Sequence, residues 1–302
     1  MNIVITGAGG FLGQHLINYL NKTLSKDFSI FSFGNKKIPN CKNYNIDDIS
    51  DKEQINLAIS SIKPDYLFHL AGTSDNSLDD DSIKSVNITY ANNLLSSLEK
   101  NNLHNHTKII VVGSSAEYGP IKLNDLPINE GLKPKPKTIY GKTKYEQTLN
   151  SISWQQSHRK LVVVRPFNII GENMPKHLAI GNFHSQIHMM PFKGILKTGN
   201  LNIKRDFIDV FDVVCIMWKL INNNKAYGEV VNICTGTPSL LIDLVNQMIS
   251  LSEKKIKCKI EKNRVRNDDI KVHYGDNKKL ISIIGNYEFI FWKKTISKIM
   301  QA

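Results

Sequence analysis

Near its start the chain reads Ile3–Val4–Ile5–Thr6–Gly7–Ala8–Gly9–Gly10–Phe11–Leu12–Gly13, and no other stretch constrains it as strongly. A short apolar strand runs into a glycine turn and then into an amphipathic helix. Gly7 permits the tight turn, Gly10 leaves room for a pyrophosphate at the helix N-terminus, and Gly13 lets the helix lie close to the strand. The spacing is Gly-x-x-Gly-x-x-Gly, not the Gly-x-Gly-x-x-Gly of the commonest dinucleotide-binding turns. Alone it is compatible with a plain glycine-rich turn, so a dinucleotide site needs support from further residues.

Ser114, Tyr140 and Lys144 supply it. Lys108–Val112 reads as a buried parallel strand that runs through Gly113 into Ser114 and Ser115. Ligands of doubly wound sheets gather at such carboxyl ends. After a loop containing Pro134 and Pro136, a helix begins near Tyr140, and Lys144 lies four residues on, on the same helical face. An ammonium beside a phenol favours the phenolate, so the tyrosine can exchange a proton near neutral pH while a serine hydroxyl holds the substrate oxygen.

With 302 residues and 41% apolar content the chain can bury a full core. Ile3–Thr6, Ser29–Phe33, Tyr66–Leu70, Ile109–Val112 and Leu161–Val164 read as strands separated by helical patterns, the mark of an α/β fold with a doubly wound parallel sheet. After Asn168 the pattern becomes irregular, as in a substrate-binding lobe. The expected division is a cofactor domain over 1–167 followed by a smaller lobe that begins at 168. No apolar run approaches membrane-spanning length and the first residues enter a strand directly, so a cytoplasmic protein is expected. Four scattered cysteines suggest reduced thiols rather than disulfides or zinc. The net charge of +12 includes a lysine run from Lys254 to Lys262. These lysines alternate with Ile256, Cys258 and Ile260, as on the outer face of a half-buried strand. No nucleic-acid motif accompanies them, and a positive field equally suits a dianionic nucleotide sugar.

Taken together, Thr6–Gly13, Asp48–Asp51, Pro64–Gly72, Val86–Asn87, Gly113–Gly119, Tyr140–Lys144, Arg165–Gly171 and Arg205–Val210 resemble the extended short-chain dehydrogenase/reductase (NAD-dependent epimerase/dehydratase) family. Gly113–Ser114–Ser115–Ala116–Glu117–Tyr118–Gly119, Asn182–Ile187, Gly199–Leu201 and Asn232–Gly236 look most like its GDP-6-deoxy-4-ketohexose reductases. The resemblance implies catalysis by Ser114, Tyr140 and Lys144, with Ser115 as the fallback for Ser114. It assigns cofactor contacts to Gly7, Gly10, Phe11, Leu12, Gly13, Asn35, Lys36, Asp48, Ile49, Leu70, Ala71, Gly72, Tyr140, Lys144 and Pro166. Asn168, Arg205 and Arg266 are matched to substrate-binding positions, with Arg264 competing for the place of Arg266 because Arg266–Asp269 departs from the family's Arg-Pro-Gly-Asp. The end of the second strand, Phe31–Lys37, lacks the acidic residue of NAD-specific relatives, so NADPH is the expected cofactor and NADH a possible one. A homodimer is the family's habit, and the resemblance also implies that the chain crosses back to the cofactor domain over 204–236, which leaves 168–203 and 237–302 as the smaller lobe.

Two absences narrow the reaction. The family's dehydratases carry an Asp-Glu pair where Ser115 and Ala116 stand, and its 3,5-epimerase/reductases carry a cysteine at the place of Ala116. Reduction of the C4 ketone of a nucleotide-linked 4-keto-6-deoxyhexose, giving GDP-6-deoxymannose, is then the leading expectation. A nucleotide-sugar 4-epimerase and a non-catalytic NADP sensor are the rivals. Glu117 reads as a residue that fixes the loop, His69 as a satisfied core histidine, and Trp154, Trp218 and Trp292 as packing. His184 and His188 stand four apart without a third ligand, so no metal and no membrane or nucleic-acid partner is expected.

Overall fold

A computed structural model of the chain describes residues 1–24, 27–34, 36–74, 78–155, 159–265 and 270–301. Its strands are β1 (Asn2–Thr6), β2 (Ser29–Phe33), β3 (Lys42–Tyr44), β4 (Tyr66–His69), β5 (Lys108–Val112), β6 (Leu161–Pro166), β7 (Asn168–Ile170), β8 (Lys193–Thr198), β9 (Lys204–Asp209), β10 (Val230–Ile233), β11 (Pro238–Leu240), β12 (Lys255–Ile260) and β13 (Val272–His273). The α-helices are α1 (Phe11–Thr23), α2 (Lys52–Ile62), α3 (Asp80–Lys84), α4 (Tyr90–Lys100), α5 (Ile139–Gln155), α6 (Ala179–Met189), α7 (Val210–Ile221), α8 (Leu241–Leu251), α9 (Lys278–Ile284) and α10 (Trp292–Gln301).

Seven strands form one parallel sheet in the order β3-β2-β1-β4-β5-β6-β10. The five strands expected from the apolar runs are all present. β3 was not expected, because it is three residues long and carries no apolar run. β1, β2, β4, β5 and β6 are largely buried because helices cover both faces, and near-continuous apolar runs are what such strands require. One face packs Ile3, Ile5, Ile110 and Val164 against Leu16 and Leu20 of α1 and Val213 and Met217 of α7. The other packs Val4, Leu67, Ile109 and Val163 against Ile55 and Ile59 of α2 and Leu94 and Leu98 of α4. Trp154 and Trp218 pack against these two cores and Trp292 lies in the core of the lobe.

Residues 204–236 divide between two sheets. β10 extends the seven-stranded sheet beside β6, whereas β9 belongs to a smaller sheet with β7, β11 and β13. Asp206, buried on β9, ties these parts together. Its carboxylate accepts hydrogen bonds from the Thr235 amide and hydroxyl at 2.9 and 2.7 Å and from the Gly236 amide at 3.0 Å. Beyond β9, α6, α8 and α10 enclose a separate apolar core around Phe183, Leu244, Val245 and Ile296.

The lysine-rich strand departs from expectation. Among the described residues β12 pairs only with β8, and Cys258 and Ile260 are exposed along with Lys255, Lys257 and Lys259. The inner strand buries Leu196 and Thr198 fully, whereas β12 turns only Ile256, half-buried, towards the core.

The glycine turn is as tight as its sequence implies. Gly7 has φ of +69°, and a Cβ there would come within 2.8 Å of the Ala71 amide nitrogen. A Cβ on Gly13 would collide with the Gly7 carbonyl and lie 2.7 Å from Ala8 Cα. Both obstacles are backbone and cannot rotate away. Gly13→Ala should therefore lower stability by about 1–3 kcal/mol, the usual range for overpacking, measured by denaturant unfolding; an unchanged midpoint would mean that α1 can withdraw from β1 freely.

Candidate active site

The carboxyl ends of β1 and β4 are neighbours, yet the chain leaves them in opposite directions across the sheet, and this reversal opens a crevice. The glycine turn forms one wall. Leu70, Ala71 and Gly72 form the other, held to β1 by the Leu70 amide on the Thr6 carbonyl (3.2 Å) and the Ala71 amide on the Thr6 hydroxyl (3.3 Å). α1 begins at Gly10 with no side-chain cap and no acidic residue in its first turn. By contrast, α2, α3 and α7 each have an aspartate cap. The first amides of α1 and its positive end are thus left for an anion, and a dinucleotide pyrophosphate fits this cradle. Phe11 and Leu12, both half-buried, open the helix beside it.

Ser114 ends the β5 extension and caps the short 3-10 turn Ser115–Tyr118, its Oγ accepting the Ala116 amide at 3.1 Å. Its hydroxyl lies close enough to the phenol of Tyr140 to stabilise the ionised ring. Tyr140, Lys144 and Thr148 follow at intervals of four along α5 and share one face. That helix lies so close to the turn that a Cβ on Gly141 would stand 2.7 Å from the Ala116 carbonyl. Lys144 is 3% exposed, and its Nζ lies over Gly72, 3.2 Å from where a Cβ would be. The sequence-predicted serine, tyrosine and lysine therefore meet at the mouth of the crevice.

Electrostatics within this group differ in one respect from expectation. Burial pushes the Tyr140 phenol above its ordinary value; the neighbouring Ser114 hydroxyl opposes the shift and the negative charge of Glu117 adds to it. Burial also drives the Lys144 ammonium down to about 8, against the attraction of Glu117. The dominant effect is therefore desolvation, not a lysine charge that draws the phenol towards phenolate, and Tyr140 holds its proton at neutral pH.

The supporting residues come from several elements. The Asn87 side chain bridges the crevice wall to α5, accepting the Thr73 amide at 2.8 Å and donating to the Thr73 carbonyl (3.1 Å) and the Thr143 hydroxyl (2.9 Å). Glu117 is fully buried and fixes the turn, accepting the Ser114 amide at 2.8 Å, the Thr148 hydroxyl at 3.1 Å and Arg165 Nε at 2.7 Å. Neither Asn87 nor Arg165 was assigned a role from sequence. A usable signal for Arg165 was present, because an arginine inside the buried run Leu161–Pro166 requires a buried carboxylate partner. His69 is a core histidine, its Nδ1 2.8 Å from the Thr6 hydroxyl and its ring edge-on to Tyr90, but it is only half satisfied, because its buried Nε2 has no hydrogen-bond partner among the described residues.

The remaining predicted residues are dispersed. Asp48 is exposed and its carboxylate accepts the Ser50 amide and hydroxyl at 2.8 and 2.7 Å, while Ile49 packs with Ala71 against the α2/α4 core. Lys36 is exposed; Asn35 and Arg266 lie outside the described residues. Pro166 is buried at the end of β6. Asn168 donates to the Asp206 carbonyl at 3.0 Å, and Arg205 Nη1 donates to the carbonyls of Ile270 (2.7 Å) and Lys204 (2.9 Å). Arg264 instead pairs with Glu261 at 2.9 Å and donates to Asn182 at 3.0 Å. Among the described residues no three His, Cys, Asp or Glu side chains cluster as metal ligands, and no helix is long and apolar enough to cross a membrane.

Residues 3–234 match the NAD dependent epimerase/dehydratase family. The chain is a member of that family. It is thus an NAD(P)-dependent enzyme of the extended short-chain dehydrogenase/reductase type. GDP-6-deoxy-D-talose 4-dehydrogenase of Aggregatibacter actinomycetemcomitans is 28% identical over 96% of this chain and 93% of that protein. GDP-6-deoxy-D-mannose reductase of Pseudomonas aeruginosa is 25% identical over 90% and 89%. The structure of RMD from Pseudomonas aeruginosa complexed with NADPH has the same fold, with a TM-score of 0.84 at 21% identity over 99% of this chain and 97% of that one. So does UDP-glucose 4-epimerase from Thermotoga maritima, with a TM-score of 0.87 at 21% identity over 100% and 98%.

One pH dependence follows from this arrangement. Burial and the Lys144 charge lower the His69 pKa to about 3, so between that value and 6.5 the unfolded chain binds a proton that the folded chain refuses. Stability should fall as pH drops through this window, His69 contributing on the order of a few kcal/mol. His273, lowered to about 4 by burial and Arg205, adds in the same direction. His69→Gln should flatten the acid side of the melting-temperature profile; an equally steep profile would show that His69 is not a source of it.

Proposed function

We propose that this enzyme reduces the C4 ketone of a nucleotide-linked 4-keto-6-deoxyhexose, with GDP-4-keto-6-deoxymannose as substrate and GDP-6-deoxymannose as product. What carries the reading is the meeting of Ser114, Tyr140 and Lys144 at the crevice with Ser115 and Ala116 where dehydratases hold acids. Both GDP-linked relatives support it, since a ketone at C4 is common to a 4-dehydrogenase and to a reductase of 6-deoxyhexoses.

A nicotinamide cofactor held in the crevice would supply the hydride. Gly7, Gly10, Phe11, Leu12 and Gly13 would cradle its pyrophosphate, and Lys144 beside Gly72 would hold the nicotinamide ribose. Ser114 donates a hydrogen bond to the C4 oxygen, and Tyr140, protonated at neutral pH, gives that oxygen its proton. The lack of an acidic residue at the β2 end and the exposed Lys36 favour NADPH over NADH. Asn168 and Arg205 lie on the paired strands β7 and β9, at the junction with the lobe, and Arg205 would meet the nucleotide diphosphate.

A second reading has its own support. D-Talose and D-mannose differ only at C4, so the talose-named relative points to delivery of hydride to the other face of the same ketone.

The decisive experiment incubates the protein with NADPH and freshly made 4-keto-6-deoxy sugars on GDP, dTDP, CDP and UDP. One NADPH should be consumed per GDP-sugar converted, with deuterium from labelled cofactor at C4 and NMR reporting the manno or talo product. Interconversion of UDP-hexose epimers without net cofactor use, and no ketone reduction, would establish the epimerase instead. Tyr140→Phe should bind NADPH normally and lose most turnover, and Ser114→Ala should lose far more than Ser115→Ala. The reverse order would move the catalytic hydroxyl by one residue. Arg205→Ala should weaken nucleotide-sugar binding by about 1.5–3 kcal/mol with little change for NADPH; equal losses in titrations of both would place Arg205 elsewhere.

A further inference from the structure

Glu117 touches substrate in no part of the mechanism above, yet its carboxylate is bonded to each element that carries the reacting groups. It accepts the backbone amide of Ser114, the hydroxyl of Thr148 on the Tyr140/Lys144 face of α5, and Arg165 Nε on β6. Space for it exists only because residue 113 is glycine, since a Cβ there would collide with Glu117 Oε1. We propose that Glu117 is a positioning residue whose buried negative charge keeps the protons on Tyr140 and Lys144 while its hydrogen bonds fix Ser114. The proposal rests on the reading of these three as the reacting set.

The charges around it support that role. From α5, Lys144 and Tyr140 both feel Glu117, which raises the pKa of each. From β6, Arg165 is permanently protonated and 2.7 Å away, so it favours the ionised carboxylate against the upward push of burial, which is the larger effect, without supplying a proton. On the same turn Tyr118 is held neutral by burial, its ring beneath the Arg165 guanidinium. From β4, His69 faces Lys144 as a neutral ring. A hydrophobic residue at 117 could pack the turn, but it could not offset the desolvation that already brings Lys144 to about 8.

Lysine Cε shifts of 13C-lysine-labelled protein report this without any sugar, the Lys144 signal being assigned by its loss in Lys144→Arg. In Glu117→Gln, which keeps the shape and loses the charge, Lys144 should titrate at least about one pH unit lower, as expected for loss of a nearby opposite charge. Glu117→Asp should restore most of the difference. Where Glu117→Gln leaves Arg165 unpaired and fails to fold, the double variant Glu117→Gln/Arg165→Gln removes both charges, and Lys144 should again titrate lower. An unmoved Lys144 in a folded variant, or an equal shift in Glu117→Asp, would overturn the proposal and leave Glu117 as packing alone. On an accepted ketosugar the alkaline limb of kcat/KM should move down with Lys144. A shifted Lys144 in a protein that reduces no ketosugar would sink the substrate reading while leaving the Glu117 effect in place.

Discussion

Backbone meets backbone where β1 and β4 end, and the rest of the site is arranged around that contact. A Cβ on Gly7 would lie 2.8 Å from the Ala71 amide nitrogen, so at this contact there is no room for a side chain and peptide groups form the crevice floor. A floor of this kind suits a ligand recognised through phosphate oxygens, because the donors are amides at the uncapped end of α1. The same closeness brings Lys144 over Gly72 and fixes His69 against Thr6 beneath it. The sheet order creates the crevice, and the glycines let its walls close.

Buried charge is the second organising feature. The Glu117–Arg165 pair joins the catalytic turn to β6, and Asp206 joins β9 to the connections leaving β10. Each carboxylate is buried at a cost, and each is met by at least three donors, so the cost of desolvation is offset by geometry that only one arrangement satisfies. Both lie between parts of the chain far apart in sequence. Their effect is to fix relative position, Ser114 against α5 in one case and the smaller sheet against the larger in the other.

Legibility in the sequence followed the range of the interactions. The glycine turn, the five apolar strands and the four-residue spacing of Tyr140 and Lys144 are local patterns, set by φ/ψ limits, strand burial and helical pitch. They could be read without knowing any neighbour. β3 could not, being three residues of mixed polarity held by pairing with β2. β12 misled because its alternation matches a half-buried strand, and whether anything covers the second face depends on what packs there.

The sequence by itself determined that an α/β sheet would present a phosphate-binding turn, and that a hydroxyl, a phenol and an amine would stand at strand and helix ends near it. Only the tertiary structure decided their charge. Lysine beside tyrosine predicts a phenol drawn towards phenolate, but in the folded protein burial raises Tyr140 and lowers Lys144, with Glu117 acting on both. The reason is that a pKa is set by the solvent and charges a group faces in three dimensions, and here the decisive influence is burial, with Glu117 adding a charge from a different element, 23 and 27 positions before Tyr140 and Lys144 in the chain.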